Sequence, residues 1–582
     1  SLLGESPESL RGRGAKRLEY VDALREAWSH RGGRHREELH GQVFAEPLRP
    51  LWEKASAELE RSLHPMLTSR RIATEAVVHE LTSPPLEQIG SLFTRCLTLE
   101  LNIARMEGTL KGSDPHERFH DFALRLHDPE YSWRLLERYP ALARSAVIAV
   151  ENWAGARREF AERLGTDIDL VMSLRGAHSG DAVLDSVTFG QGDSHRHGRS
   201  VALVGFTDGS SVMYKPRPMS VDLHFQEFLH WVNQCGLRPT LRTFSVVDRG
   251  SYGWSEFVEA RPCPPGAALK RFHRRQGALL AVLHTLVASD MHFENLIASG
   301  EDPVAVDLEA LFHTWRFPGP QPFHVPTGAV DTMLESVLEV GVLPSPSLWV
   351  DGEEEGWSDL SGLREVTDQL THDKIPSLDG VGTDQMRVVR RRARRRGGDN
   401  TPRPAVPSGG GALEHRDALV AGYREAYDLL VRHRTELLAD DGPLAAFSSD
   451  EVRVVVRPTQ TYVQFLEEIR HPDLATDALE RDGLLDALWF WHRDHPCREE
   501  LVASERNQLS RGDVPVFTTK VASRHLYADG RVVAYDALPR SGWEAARTRI
   551  AGLSDQHREQ QVWFVEGSLT ALAMSTVEGL PR

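Results

Sequence analysis

An α+β fold is what this 582-residue sequence predicts. Three observations carry the expectation. Apolar residues recur at helical spacing through most of residues 1–190, a β-rich stretch with a hairpin signal fills 191–260, and helical and strand-like runs alternate from 261 to the end. The expected organisation is a mainly helical region at 1–190, a small β-rich lobe at 191–260, a larger lobe at 261–440 and a further α/β region at 441–582. With 40% hydrophobic residues, a chain of this length can bury sizeable cores.

Each element has a local reason. Residues 46–63 set Leu48, Leu51, Trp52, Ala55, Leu59 and Leu63 at helical spacing, and 153–164 reads as a second helix. The runs 201–206 and 212–216 flank Thr207-Asp208-Gly209-Ser210, whose Asp-Gly step marks a hairpin turn, so Lys215 closes the second strand. Pro216 and Pro218 fix the backbone around Arg217. Asp222 is placed to cap a helix over 222–235, where Leu223, Phe225, Phe228, Leu229 and Val232 share a face. Glu227 on that helix is either a partner for Lys215 or an exposed acid. Residues 254–258 form a hinge segment, and a long helix over 267–287 opens the larger lobe. From 387 to 411 an arginine run (Arg390, Arg391, Arg392, Arg394, Arg395, Arg396) passes into a Gly/Pro/Ser tract. That pattern predicts a mobile loop before helical spacing resumes at 418–438. The arginines are either solvated or a docking surface for an acidic peptide. Strand-like runs at 452–456 and 512–521 belong to the last region, and no internal repeat is present.

Composition excludes more than it selects. A net charge of −16 offers no general basic field for nucleic acid. The four cysteines, Cys96, Cys235, Cys263 and Cys497, form no CxxC pair and read as thiols of a reducing compartment. No run has signal-peptide character or approaches the ~18 apolar residues of a membrane helix, so a cytoplasmic location without membrane insertion is expected. The absent initiator Met suggests a fragment or a processed chain.

Residues 287–312 concentrate the polar chemistry. Asp290, His292 and Asn295 form a DxHxxN cluster, and the apolar run 303–306 delivers Asp307 and Glu309. Phosphoryl transfer from ATP requires a residue that orients or deprotonates a hydroxyl, an Asn and an acid for Mg²⁺, and a lysine on the phosphates. Protein kinases separate their catalytic Asp and Asn as Asp290 and Asn295 are separated, and hold a metal-binding Asp after a following strand, as with Asp307. The His at 292 is closer to the phosphoinositide lipid kinases. The reading assigns Asp290 and His292 to catalysis, Asn295, Asp307 and Glu309 to the metal, and Lys215 with Glu256 and Val258 of the hinge to the nucleotide.

Four motifs then point to one family. GDSHRHGRSVALVGFTDGSSVMYKPRPMSVD at 192–222, YGWSEFV at 252–258, the DxHxxN and DLE block, and RVVVRPTQTY at 453–462 resemble, in order, the dehydratase domain of class II lanthipeptide synthetases. The resemblance runs from about residue 45 to the C-terminus. It implies a kinase-like, lipid-kinase-like two-lobed core with an N-terminal helical region and additional C-terminal α/β elements. The implied enzyme phosphorylates Ser and Thr of a ribosomal precursor peptide, leader plus core, using ATP and Mg²⁺ and releasing ADP. It then eliminates phosphate to leave dehydroalanine or dehydrobutyrine. Carried over, the phosphorylation set is Lys215, Asp290, His292, Asn295, Asp307 and Glu309. The elimination set is Arg453 and Thr459, with Asp193 and His195 as further positions near the same site.

Elimination chemistry agrees with that second set. A departing phosphate needs electrophilic help, and the planar guanidinium fork of Arg donates two parallel hydrogen bonds. On a strand, Arg453 and Arg457 would share a face, and the Thr459 hydroxyl at the strand exit would donate to phosphate. Asp193 and His195 are either an acid/base couple or loop residues. Class II synthetases usually continue into a zinc-binding cyclase domain, and here His495 and Cys497 have no second ligand cluster, so no zinc is expected. A separate cyclase is then a candidate partner. The competing functions are a kinase-like phosphotransferase without elimination and a non-catalytic scaffold that binds leader peptide.

Overall fold

Proline and aspartate decide where the helices of the first unit begin. In the computed structural model, which describes residues 19–29, 43–176, 181–192, 194–315, 332–333, 335–351, 354–364, 369–395, 397–402, 411–491 and 495–576, the chain forms two units. One comprises Ser1–Ser211, Pro376–Arg390 and Arg457–Pro515; the other comprises Val212–Ile375, Arg391–Val456 and Val516–Arg582. Residues 441–582 are therefore shared between units rather than held as one region.

The first unit is mainly helical. The helix expected at 46–63 starts at Arg49 and runs to Leu63, with Pro50 in its first turn, where a missing N–H costs nothing. Leu48, Leu51, Trp52, Leu59 and Leu63 are buried as the spacing predicts. Asp114 accepts from the His116 and Glu117 N–H groups ahead of Pro115–Leu126, and Asp128 accepts from Glu130 ahead of Pro129–Arg138. The segment 153–164 is the middle of a longer helix, Pro140–Ser173, which buries Trp153, Phe160 and Leu164. Two strands, β1 (Leu184–Phe189) and β2 (Ala202–Phe206), pair antiparallel. After β2 the chain turns as the Asp-Gly step predicts, with Gly209 at φ +80° and the Phe206 N–H donating to Ser210 O at 3.0 Å.

Strand β3 (Ser211–Lys215) leads into the second unit. There it pairs antiparallel with β5 (Gly253–Glu256), which also pairs with β4 (Val246–Asp248). Helix α1 (Ser220–Gln234) joins β3 to β4 and buries Phe225, Phe228 and Val232. Asp222 does not cap it. The helix starts two residues earlier, after Met219, and the Asp222 carboxylate turns to cations described below. Helix α2 (Ala267–Thr285) crosses α3 (Arg416–Arg432) at backbone distance: a methyl added to Gly277 would lie 1.8 Å from Leu419 O, and one added to Gly422 would lie 1.8 Å from Arg274 O.

The hairpin β6 (Leu296–Ser299) and β7 (Asp302–Ala305) carries the 287–312 segment. A four-stranded sheet follows, ordered β8 (Glu451–Val454), β9 (Phe517–Lys520), β10 (Leu526–Ala528) and β11 (Arg531–Ala534). Val282, Leu286, Met291, Leu308, Phe312, Tyr423, Phe447 and Val452 close one continuous core beneath these elements.

The arginine run differs from the mobile loop predicted for 387–411. Arg387–Arg391 is a strand beside Ile375–Asp379, and Arg394–Arg395 pairs with Gln369–Leu370. Several of its arginines have partners: Arg387 meets Asp379 at 2.9 Å, Arg390 pairs with Glu468, and Arg392 stacks 3.8 Å above the Trp349 ring. Charge neutralised locally permits strand pairing that a count of arginines does not suggest. Arg396 and residues 403–410 lie outside the described residues. Among the described residues, no helix is long and apolar enough to cross a membrane.

Candidate functional site

The loop that carries Asp290 is folded back against the segment that carries Glu309. Ser289 N–H donates to Ala310 O, Phe312 N–H to Leu286 O, and His313 N–H to Val287 O, at 3.0, 2.9 and 2.9 Å. Val287, Asp290 and Phe312 take left-handed backbone conformations, at φ +53°, +62° and +56°. Such conformations cost energy for residues other than Gly and persist where surrounding structure over-determines them. Asn295 donates its side-chain amide to Asp290 O at 2.8 Å, and Val306 N–H donates to Asn295 O at 3.0 Å. The DxHxxN cluster and the acids after β7 are thus one hydrogen-bonded unit.

Three cations converge on those acids. Lys215, 8% exposed, donates to Val306 O at 2.5 Å, with Asp307 and Asp222 at 3.7 and 3.8 Å. Arg217 spans Asp222 (Nη1 to Oδ2, 2.6 Å), Asp307 (Nη2 to Oδ1, 2.8 Å) and Glu309 (Nε to Oε2, 3.5 Å). Arg453 reaches Glu309 Oε1 from the opposite strand at 2.6 Å. Arg217 and Asp222 were not singled out from sequence as site residues. Their one signal is local: a cation clamped between two prolines, and an acid in the first turn of the next helix.

The electrostatics follow from this packing. Burial opposes ionisation of Asp307, but Lys215, Arg217 and Arg453 outweigh it and hold the carboxyl below the usual carboxylate range. Burial likewise opposes ionisation of Glu309, and Arg453 outweighs it. Asp290 goes the other way: burial raises its carboxyl, Glu309 and Asp307 add to the rise, and His292 and Arg453 oppose it. Burial works against the charges of Arg217 and Arg453, yet their acidic neighbours keep both firmly protonated.

The arrangement therefore offers anionic oxygens beside fixed cations. Asp307 keeps 35% of its side-chain surface open while ion-paired. Asp307, Glu309 and the Asn295 side-chain oxygen are hard-oxygen donors of the type Mg²⁺ takes. The same guanidinium groups suit phosphate. Asp290, nearer to neutrality than an ordinary Asp, suits proton transfer.

The remaining expected residues have partners of their own or belong to the first unit. Glu256 commits its carboxylate to Arg242 at 3.0 Å and its N–H to Ser245 O, and Val258 is buried against Phe244 and Val304. Glu227 is exposed, and Asp222 holds the position near Lys215 proposed for it. His292 sits at a one-bridge contact with Ser361. In the first unit, His195 Nδ1 lies 3.0 Å from Val514 O, which only accepts, so Nδ1 carries the proton and Nε2 is the basic nitrogen of the neutral ring. Asp193 lies outside the described residues. Thr459 is the first residue of helix Thr459–Glu468, also in the first unit.

Arg457 does not share a strand face with Arg453. The strand ends at Val454, and the Arg457 guanidinium is buried on Glu505 (2.6 Å) and Leu488 O (3.0 Å), with Tyr462 donating to the same carboxylate at 2.7 Å. Strand pairing runs out because Val455 N–H is taken by His313 Nε2 at 3.2 Å. His495 Nδ1 accepts from Cys497 N–H at 3.1 Å in a local turn.

Residues 139–520 match a family described as "Domain of unknown function (DUF4135)". The chain is also 23% identical over 497 residues to the "Lacticin 481/lactococcin biosynthesis protein LcnDR2" of Lactococcus lactis subsp. lactis. That alignment covers 82% of this chain and 51% of the other protein, so the chain spans about half the length of the curated relative it matches.

Proposed function

The chain belongs to the DUF4135 family and is a relative of the class II lanthipeptide synthetases, and from that premise we propose that it dehydrates Ser and Thr of a ribosomal precursor peptide, by phosphorylation and then elimination of phosphate. One observation carries the reading: Lys215, Arg217 and Arg453 converge on Asp307 and Glu309 beside an Asp290 whose carboxyl is raised. It is further supported by the order β3, β5, β4 with α1 between β3 and β4, which agrees with the small lobe of a kinase-like, two-lobed core.

ATP and Mg²⁺, when bound, supply a phosphoryl group whose charge is shared with the metal. Asp307, Glu309 and Asn295 would hold the metal, and Lys215 and Arg217 the phosphates. Asp290 accepts the proton of the peptide hydroxyl as its oxygen bonds to phosphorus and the bond to ADP breaks. In the second step a base takes the Cα proton of the phosphorylated residue, the C–H electron pair becomes the C=C bond, and phosphate leaves with the electron pair of the Cβ–O bond. Arg453 and Arg217 are the side chains of this cluster suited to that phosphate. Thr459 and His195, carried over by resemblance, remain candidates for the same step.

The test is mass spectrometry of a candidate precursor peptide incubated with the chain, ATP and Mg²⁺. Loss of one water per modified residue supports dehydration, and an unmodified peptide with every candidate overturns it. A peptide that gains phosphate and keeps it would favour a phosphotransferase without elimination. One observation favours that second reading: Arg453 is ion-paired with Glu309 within the acid cluster that holds the phosphorylation residues.

A further inference from the structure

Two helices of the second unit end at the same place. Cys235 caps the C-terminus of α1, and His433 caps the C-terminus of α3. Glu436 lies in the short helix Arg434–Leu437 that follows. Cys235 Sγ is 3.8 Å from His433 Nδ1, which is 3.1 Å from Glu436 Oε2. Among the described residues, these donor atoms lie within 4.8 Å of one another.

We propose that Cys235, His433 and Glu436 bind a zinc-class divalent cation that clamps the end of α1 to the end of α3. Thiolate, imidazole and carboxylate are the three ligand types zinc takes. Ligand atoms held at zinc bond lengths of about 2.0–2.3 Å in a tetrahedron lie roughly 3.3–3.6 Å apart, close to the 3.8 and 3.1 Å that separate His433 from Cys235 and from Glu436.

Two independent features support the site. First, the negative ends of a 15-residue and a 17-residue helix converge on it, and a cation is favoured there. Second, the carboxylate is already oriented: Trp231 Nε1 donates to Glu436 Oε1 at 2.8 Å, turning Oε2 toward His433, and its ring packs edge-on to the imidazole at 5.7 Å. That is the outer support a metal ligand requires. Cys235 and His433 are half-buried and Glu436 is more open, so a fourth position faces solvent. His433 and Glu436 are three residues apart, and Cys235 is brought to them from 198 residues away.

The clamp has a consequence for the acid cluster, because α1 carries Asp222 in its first turn. Fixing its far end restrains the helix that supports Lys215 and Arg217. The inference does not rest on the proposed dehydration and survives its failure.

The test is zinc binding by the full chain, first stripped with chelator and then titrated with Zn²⁺ against a competing indicator. One equivalent is expected, together with a thiolate charge-transfer band when Co²⁺ replaces zinc. Cys235→Ser should remove the band and weaken binding by about tenfold or more, and Trp231→Phe should weaken it by about 10–100-fold, with circular dichroism unchanged in both. Cys497→Ser should bind as the wild type does. Absence of zinc uptake, equal uptake by Cys235→Ser, or loss of uptake in Cys497→Ser would each overturn the proposal; the first would leave a His433–Glu436 hydrogen bond only.

Discussion

Arg453 and Glu309 are tied to each other twice. The guanidinium meets the carboxylate at 2.6 Å, and the Arg453 N–H donates to Glu309 O at 2.6 Å. Strand β8 is therefore docked on the segment that bears the acids proposed to hold metal. The family resemblance assigns the two residues to different sets, Arg453 to elimination and Glu309 to phosphorylation.

That contact changes what Arg453→Met is expected to do. Removing one fixed stabiliser of developing charge costs about 10²–10³-fold in rate, and here it also leaves Glu309 without its main cation. Phosphorylation and elimination should fall together, leaving unmodified precursor. Mass spectrometry showing accumulated phosphopeptide would restore the separate sets.

Asp307→Ala should abolish dehydration with no phosphopeptide, because the carboxylate shared by Lys215 and Arg217 is gone. The melting temperature should fall as well, since the largely buried Lys215 and Arg217 lose one of their acids, so circular dichroism is needed to show that the variant is folded. Dehydration at the wild-type rate would remove Asp307 from the site.

Buried charge in the first unit has a different signature. Arg457 and Glu505 are 1% and 0% exposed at the side chain. Glu505→Gln leaves an uncompensated guanidinium and should cost about 3–5 kcal/mol of stability. Thermal melts of this variant and of Arg457→Met with Glu505→Leu should differ, the double change recovering much of the loss. A single variant that melts with the wild type would show the pair to be dispensable.

The α2–α3 crossing tolerates no side chain at its centre. Gly422→Ala places a methyl against Arg274 O and should destabilise by about 1–3 kcal/mol through forced backbone separation. Denaturant melts measure this; an unchanged midpoint would mean that the helices can part freely.

His313 gives the protein a sensitivity to acid. Burial lowers its pKa to about 4, and its Nε2 accepts the Val455 N–H. The unfolded ring titrates near about 6.5, so between that pH and about 4 the unfolded state binds more protons. Its contribution is full above the unfolded value and is lost as pH falls through the window. His313→Asn, which keeps an acceptor and does not titrate, should flatten the variant's own stability profile across that range, so that its difference from wild type changes with pH. Parallel pH profiles would exclude His313.

What was legible in the sequence was what lies close along the chain. The 290–309 spacing survives folding because a hairpin and a short backbone ladder join its ends. The hairpin turn at Gly209 and the helix face at Leu51, Leu59 and Leu63 follow from local preferences too. Partner choice is not local. Lys215 pairs with Asp222 and not Glu227 because α1 begins at Ser220, and Arg457 leaves the Arg453 face because the strand ends at Val454. Three residues of strand length decided whether an arginine serves the site or the core.

The left-handed backbone at Asp290 bears on how such chains diverge. Asn and Gly adopt that conformation more readily than most residues. A descendant that exchanged Asp290 for either would keep the bend, the Asn295 bond to the residue 290 carbonyl and the packing below, while losing the carboxylate proposed as proton acceptor. Loss of chemistry and loss of fold are uncoupled at this position. On the role proposed for Asp290, a chain changed at this position can persist as a well-folded protein without that chemistry.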